Sequence, residues 1–352
     1  MSIAATKVWL MLGPERSAGV SELPDRLAAR GVAAQVIPAP RDSRIDASPP
    51  LDLGWTHGLL SAWRRPWTVR RLARFEEIER PHLLDTRSPA LMSAVLSLAE
   101  RVRLPYVATI SDYPAPEDSL RVSRRWCRRL IVPSLELADF LCGELGVPAE
   151  LLSVIPPGLP TIGTPRLRPR EVPAVGTIAS WHPRSGLNDF LTAARRVIDM
   201  GLDAEFLIGG QGPMDSELRR RASRLGLADR VTLTDFPSDD SIIWSTLDVY
   251  CQPAIQPAIS RPLSLALACG IPVIASEVEG LRSLVQSGTT GLLVPPRDPE
   301  RLAAALADLL RQPEQAQRLG EAGRAAAQSQ FDPERECDSL VALYREIADQ
   351  GE

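Results

Sequence analysis

The residues best suited by type and spacing to do chemistry lie in the second half of this 352-residue chain. Gly209-Gly210-Gln211-Gly212-Pro213 ends an apolar run and precedes a helical pattern. A glycine-rich turn in that place lets backbone N–H groups approach a phosphate or a ribose; a plain tight turn is the competing explanation. Ser260-Arg261-Pro262 opens a second helical pattern. Serine is a good N-cap, and proline suits the first turn. The start of such a helix offers unpaired N–H groups and positive potential. Arg261 adds a guanidinium able to hold a phosphate through two hydrogen bonds, unless it points to solvent. Both features suit a phosphate-bearing ligand.

Strands and helices must position these groups. Short apolar runs alternate with helical stretches along the whole chain, the pattern of α/β folds with parallel sheets. The predicted strands of the first half are 7–12, 32–37, 82–85, 105–110 and 127–132, with helices over 20–30, 88–102 and 135–145. Those of the second half are 174–178, 204–208, 231–233, 249–252, 272–275 and 291–294. Helices are predicted over 187–201, 214–226, 239–246, 262–269, 280–286 and 299–311. Gly270 is placed to cap a helix, and Pro272 cannot continue it. Between the halves, VIPPGLPTIGTPRLRPREVPAVG reads as a proline-rich linker, with the boundary near 160–172. This predicts two Rossmann-like domains, 1–165 and 166–331. Open parallel sheets bind ligands outside the carboxyl ends of their strands, so the cleft between the domains is the expected site.

Composition narrows the function classes. Apolar residues make up 44% and charged residues 24%, enough to bury a sizeable core. A net charge of −4 argues against a dedicated nucleic-acid binder. Cys127, Cys142, Cys251, Cys269 and Cys337 form no C-x-x-C pair, which points to reduced thiols and a cytoplasmic location. The apolar run near the N-terminus is too short for a signal peptide, and no run of 18 apolar residues exists to span a membrane. His57 and His82 have no ligand partners at metal spacing, and His182 reads as a loop residue on the expected cleft. No G-x-G-x-x-G follows a strand, which argues against NAD chemistry.

The segment ALACGIPVIASEVEGLRSLVQSGTTGLLVPPRDPERLAAALADLL, residues 266–310, resembles the nucleotide-sugar half of family 4 of the retaining glycosyltransferases. FLIGGQGPMDSELRRRASRLGLADRVTLTDFPSDD is similar to the family's strand, glycine-rich turn and helix upstream. DPERECDSLVALYREI, 332–347, resembles its last helix, which crosses back to the first domain. The resemblance implies the GT-B fold, two Rossmann-like domains facing each other across a cleft, with helix 332–350 packed on the first. It implies transfer of a hexosyl group, with retention, from a nucleotide diphosphate sugar to a saccharide or lipid-linked acceptor, with no metal. Arg184 and Arg261 would stabilise the leaving diphosphate, with Ser260 at the helix start. Gly209, Gly210 and Gly212 would shape the nucleotide pocket, and Gly13 and Gly19 would lie in the first-domain loop near donor and acceptor. Asp112 would contact the acceptor.

The chain departs from the family at the residues that do the chemistry. Where the family has an Arg and a Lys after its first strand of this half, Thr177 and Ser185 stand, with Arg184 one place away. Its two Glu fall on Pro257 and Leu265, whose side chains accept no hydrogen bond. Its histidines become Asp85, Arg87 and Ser111, and Ser283 replaces the Glu of a later Gly-Gly-x-x-E site. Two readings follow: a divergent transferase, or a non-catalytic glycosyltransferase-like protein that binds a ligand or regulates a partner enzyme. The tract 63–74, with Trp63, Trp67 and Arg64, Arg65, Arg70, Arg71 and Arg74, and the run 124–129 are basic with interleaved tryptophan. Peripheral contact with an anionic membrane is one reading of them, and a solvated helical face is the other. Replacing the arginines of 63–74 is expected to weaken co-sedimentation with anionic vesicles if the first reading holds; unchanged binding selects the second.

Overall fold

The computed structural model describes residues 6–12, 22–38, 80–88, 91–114, 122–160, 171–235 and 240–350. Gly13, Gly19, His57 and the tract 63–74 lie outside them. The chain divides into two compact units. One is Met1–Gly158 with Asp332–Glu352, and the other is Leu159–Phe331.

The first unit is built from β1 (Thr6–Leu12), α1 (Leu23–Ala28), β2 (Val32–Pro38), β3 (Leu83–Thr86), α2 (Met92–Val102), β4 (Tyr106–Thr109), β5 (Cys127–Val132), α3 (Leu135–Leu145) and β6 (Leu152–Val154). Its strands pair in parallel in the order β2-β1-β3-β4-β5-β6. The second unit runs β7 (Ala174–Ile178), α4 (Leu187–Asp199), β8 (Glu205–Gly209), α5 (Asp215–Arg224), β9 (Val231–Thr234), α6 (Asp240–Thr246), β10 (Val249–Gln252), α7 (Arg261–Cys269), β11 (Val273–Ser276), β12 (Leu292–Val294), α8 (Pro299–Arg311) and α9 (Pro313–Gln330). Its order is β12-β11-β10-β7-β8-β9, again parallel. The central strands β7, β10 and β11 are buried at every residue, because helices cover both faces of a parallel sheet. The helices meet them with apolar residues at helical spacing, as Leu187, Leu191, Ala194 and Val197 do on α4. Among the described residues no helix is long and apolar enough to cross a membrane.

One predicted element differs, and two observed ones are not predicted. Residues 280–286 form successive turns, not a helix. Leu281 N and Arg282 N both bond to Val278 O, and Leu284 N and Val285 N both to Leu281 O, which makes separate turns and not a continuous ladder. The long helix α9 and the short strand β6 have no counterpart among the predicted elements. α9 is masked in the sequence by Gly320 and Gly323, which lower helix propensity. Packing requires them: a Cβ on Gly320 would stand 2.1 Å from Gly270 O, where α7 ends in a left-handed turn.

The last helix, α10 (Pro333–Asp349), belongs to the core of the first unit. Leu340, Val341, Leu343, Tyr344 and Ile347 pack with Val8, Leu10, Leu27, Leu83 and Val107. Each buried leucine, valine or isoleucine contributes roughly 1.5–3 kcal/mol of transfer free energy. Exposed pairs of Arg30 with Glu334 and Asp338 add little to that. A polar network ties α10 to the end of β3. Asp85, fully buried at the end of β3, accepts from Tyr344 Oη at 2.6 Å and from Arg87 Nε at 3.3 Å. Arg87 Nη1 donates to Glu336 Oε1 at 2.9 Å, and Glu336 Oε2 accepts from Gly158 N at 2.8 Å. The other carboxylate oxygen of Asp85 is buried with no partner.

Burial pushes the Asp85 carboxyl above the usual carboxylate range, against the pull of Arg87. The folded state therefore keeps a proton that the unfolded chain has released. Stability should fall as pH rises from the unfolded carboxylate value, about 4, through the raised folded value. Asp85→Asn cannot ionise, so its stability relative to the wild type is expected to improve with rising pH. Urea midpoints of both proteins from pH 4 to 8 check this, and parallel slopes would refute it.

Candidate functional site at the carboxyl edge of the second sheet

Three parallel strands of the second unit, β8, β7 and β10, lie side by side, so the loops after them meet at one edge. Backbone hydrogen bonds join these loops. Trp181 N donates to Gln211 O at 2.9 Å, and Met214 N to Trp181 O at 3.2 Å, which ties the β7 loop to the β8 loop. Ile255 N donates to Arg184 O at 3.0 Å, which ties it to the β10 loop. Ala258 N donates to Glu279 O at 3.1 Å, which adds the loop after β11.

The glycine-rich turn has its explanation here. Gly210 has φ +141°, and a Cβ on it would lie 1.9 Å from Ala179 O. Gly212 has φ +156°, and its Cβ would lie 2.6 Å from Trp181 O. Both glycines let the two loops interlock, a requirement that exists without any ligand. Gly209 ends β8 and is buried, whereas Gln211 and Gly212 are exposed at the tip of the turn.

Arg184 stands in a short 3-10 turn, Pro183–Ser185, with an exposed side chain that forms no ion pair among the described residues. Its neighbour Ser185 turns inward and donates its hydroxyl proton to Ser180 O at 2.6 Å. Thr177 lies wholly inside β7, its hydroxyl buried without a partner. The chain becomes partly exposed only at Ala179, after the strand has ended, and fully exposed at Ser180, so the side chain at 177 lies inside the unit and not at the edge. His182 is exposed in the same loop.

Arg261 is the first residue of α7 and is half-buried. Ser260 caps the helix: its Oγ accepts from Leu263 N at 3.1 Å. The same hydroxyl donates to Gln252 Oε1 at 2.7 Å, and Tyr250 Oη donates to that oxygen at 2.6 Å. Ser260 Oγ thus has no proton left for a ligand. Burial pushes the Tyr250 phenol well above its ordinary value, so it stays a donor. Nothing in the motif reading pointed to Tyr250 and Gln252. The available signal is a glutamine closing an otherwise apolar strand, Val249-Tyr250-Cys251-Gln252. Pro257 is exposed, and Leu265, 4% exposed, is packed into the core beneath α7.

The fold brings Arg184, Gly209, Gly210, Gly212, Ser260 and Arg261 to one edge of one sheet. Asp112 is in the first unit, exposed after β4, where its carboxylate accepts from Tyr113 N at 2.8 Å. Asp85 and Arg87 face α10 in the network described above. The edge can hold an anion through guanidinium groups; at the start of α7, Leu263 N and Ser264 N are bonded to Ser260 and Pro262 has no N–H. Positions 257 and 265 supply no carboxylate for a sugar or ribose hydroxyl.

Comparison with known proteins gives consistent matches. A family model described as Glycosyl transferases group 1 matches residues 169–312, and one described as Glycosyltransferase Family 4 matches residues 18–161. The alpha-D-kanosaminyltransferase of Streptomyces kanamyceticus is 30% identical over 175 residues, 49% of this chain and 45% of that one. The phosphatidyl-myo-inositol mannosyltransferase of Mycobacterium leprae is 29% identical over 277 residues, 78% of this chain and 69% of that one. The match spans about half the length of the first of these relatives. Among solved structures, a sucrose-phosphate synthase of Thermosynechococcus elongatus superposes with a TM-score of 0.79 at 22% identity, covering 98% of this chain and all of that one. HepE of Anabaena, solved with UDP-glucose, gives 0.74 at 20% identity, covering 97% and 98%.

The interlocked turn makes a stability prediction. Gly210→Ala should destabilise the protein by about 2 kcal/mol or more, since it adds both a clash and a strained φ. Thermal unfolding beside the wild type measures this, and a change under 0.5 kcal/mol would mean the loops are not interlocked as described.

Proposed function

As the chain belongs to glycosyltransferase family 4, the glycosyl transferases group 1, and has the GT-B fold, we propose that it binds a nucleotide diphosphate sugar at the carboxyl edge of its second sheet. It transfers the hexosyl group with retention to a saccharide or lipid-linked acceptor. The observation that carries this reading is the set of interlocked loops that holds the exposed Arg184 and the Arg261 helix start on one edge.

A departing diphosphate develops negative charge, and preorganised cations and N–H groups stabilise it most where they need not reorganise. Backbone-locked loops meet that condition. Arg184 and Arg261 supply charge in this reading, so it requires no metal. The exposed tip Gln211-Gly212 flanks the nucleotide, and Asp112 contacts the acceptor. HepE, solved with UDP-glucose, and the mannosyltransferase named for phosphatidyl-myo-inositol support the donor class and a lipid-linked acceptor. A cytoplasmic location, with peripheral membrane contact through 63–74, belongs to the same reading.

A second reading has its own support. Ser185 and Ser260 spend their hydroxyl protons inside the fold, and Leu265 is buried where a sugar contact is expected. These observations favour a protein that binds a ligand without turning it over. A calorimetric panel of UDP, GDP and their glucose and mannose conjugates separates the readings. The transferase reading expects binding, slow release of free sugar, and a loss on the order of 100-fold in turnover for Arg184→Gln. Binding without turnover selects the second reading, and silence across the panel overturns the donor site itself.

A further inference from the structure

Hydroxyl groups on a donor need hydrogen-bond acceptors, and the side chains at 257 and 265 offer none. The loops that meet at the carboxyl edge of the second sheet are 179–186, 210–214, 253–260 and 277–291. Their only carboxylates are Glu277 and Glu279, both in the loop after β11. Glu277 is exposed, and its N–H donates to Val294 O at 2.7 Å, at the end of the edge strand β12. Glu279 is half-buried. Its backbone oxygen accepts from Ala258 N at 3.1 Å, which fixes it beside the residue that follows Pro257. Gly280, buried with φ +83°, turns the chain immediately afterwards. The Glu279 carboxylate forms no hydrogen bond or ion pair among the described residues. Counting back from Ser283, residue 279 falls on the first glycine of the Gly-Gly-x-x-E pattern, so this carboxylate is the chain's own.

Strand order gives the direction along the edge. The loops follow one another in the order β11, β10, β7, β8. The donor-site reading sets the nucleotide at the glycine-rich turn after β8 and the diphosphate at Arg184 after β7. A nucleotide diphosphate sugar carries its sugar on the far side of the diphosphate from the nucleotide. The sugar then lies toward the loops after β10 and β11, where Glu279 stands. Charge agrees with that placement. A carboxylate accepts from neighbouring hydroxyls through two oxygens, and it repels a diphosphate set against it. We propose that Glu279 is a specificity-determining residue of the donor site, its carboxylate accepting hydrogen bonds from hydroxyls of the transferred hexosyl group. The proposal rests on the donor-site reading above and names the part of the donor that this residue holds. It supplies, from the loop after β11, an acceptor that Pro257 and Leu265 lack.

The test uses the full-length protein in calorimetry, with UDP, UDP-glucose, GDP and GDP-mannose as probes. Glu279→Gln keeps the shape and removes the charge and one acceptor oxygen; Glu279→Ala removes both acceptors. Glu279→Gln is expected to weaken the sugar conjugate about tenfold, while the affinity for the bare diphosphate is retained. Glu279→Ala should lose at least as much on the conjugate and nothing on the diphosphate. Glu277→Gln removes the same charge from the same loop and should change neither. Equal losses on conjugate and diphosphate would mean a general effect on the edge and overturn the proposal. So would a conjugate affinity unchanged in both Glu279 variants, or the same selective loss in Glu277→Gln. A diphosphate that binds Glu279→Gln more tightly, with the conjugate following it, would put the carboxylate against the phosphates and also overturn it. A wild type silent to all four probes overturns the donor-site reading and this proposal with it, an outcome distinct from the others.

Discussion

Backbone polar groups at the ends of parallel strands must find partners once the loops pack together, and this constraint organises the second unit. The loops after β7, β8, β10 and β11 satisfy one another: Trp181 bonds Gln211, Ile255 bonds Arg184, and Ala258 bonds Glu279. A loop edge of this kind is stiff because each segment is the hydrogen-bond partner of the next. Its glycines are required by the close approach of backbone to backbone at 210 and 212. What the edge presents outward is then decided by the few side chains that are not drawn in. Arg184 is among the exposed ones, while Ser185 and Ser260 are turned inward.

The first unit obeys the same rule with charges. At the end of β3, Asp85 and Arg87 are committed to Tyr344 and Glu336 of α10. Burying one polar group alone would be costly, so Asp85 and Tyr344 are buried beside the partly buried Arg87 and Glu336. Glu336 serves twice, holding Arg87 and the amide of Gly158, the last residue before the chain enters the second unit. The C-terminal helix is therefore fixed by apolar packing along its length and by a polar clasp at Glu336 and Tyr344. Asp85 and Arg87, which stand where the family resemblance places histidines, are part of that clasp.

Family membership and altered side chains fit together on this view. The scaffold of a group 1 glycosyltransferase depends on strand order, loop interlocking and helix starts, all set by backbone and small residues. The chemistry depends on side chains at the loop tips, which can change without disturbing those contacts. Replacing an acidic residue by Leu265 even adds to the core under α7. Scaffold and loop-tip side chains are thus separable.

Much of the fold is legible in the amino-acid order. Val273-Ile274-Ala275 reads as a buried parallel strand, Ser260 as a cap and Gly270 as a helix end, and each is found so. These are local matters, decided by side-chain branching, capping geometry and backbone freedom within a few residues. The helix over 313–330 is not legible, since the glycines that weaken it locally are what let it approach α7. At the site, sequence determined which groups were present: two arginines, a capping serine, a glycine-rich turn and missing glutamates. Only the tertiary structure decided what those groups are free to do. Whether a hydroxyl proton or a carboxylate lone pair is available depends on partners distant in the chain, as with Asp85 and Tyr344, 259 residues apart. Hydrogen-bonding capacity is finite, and packing allocates it.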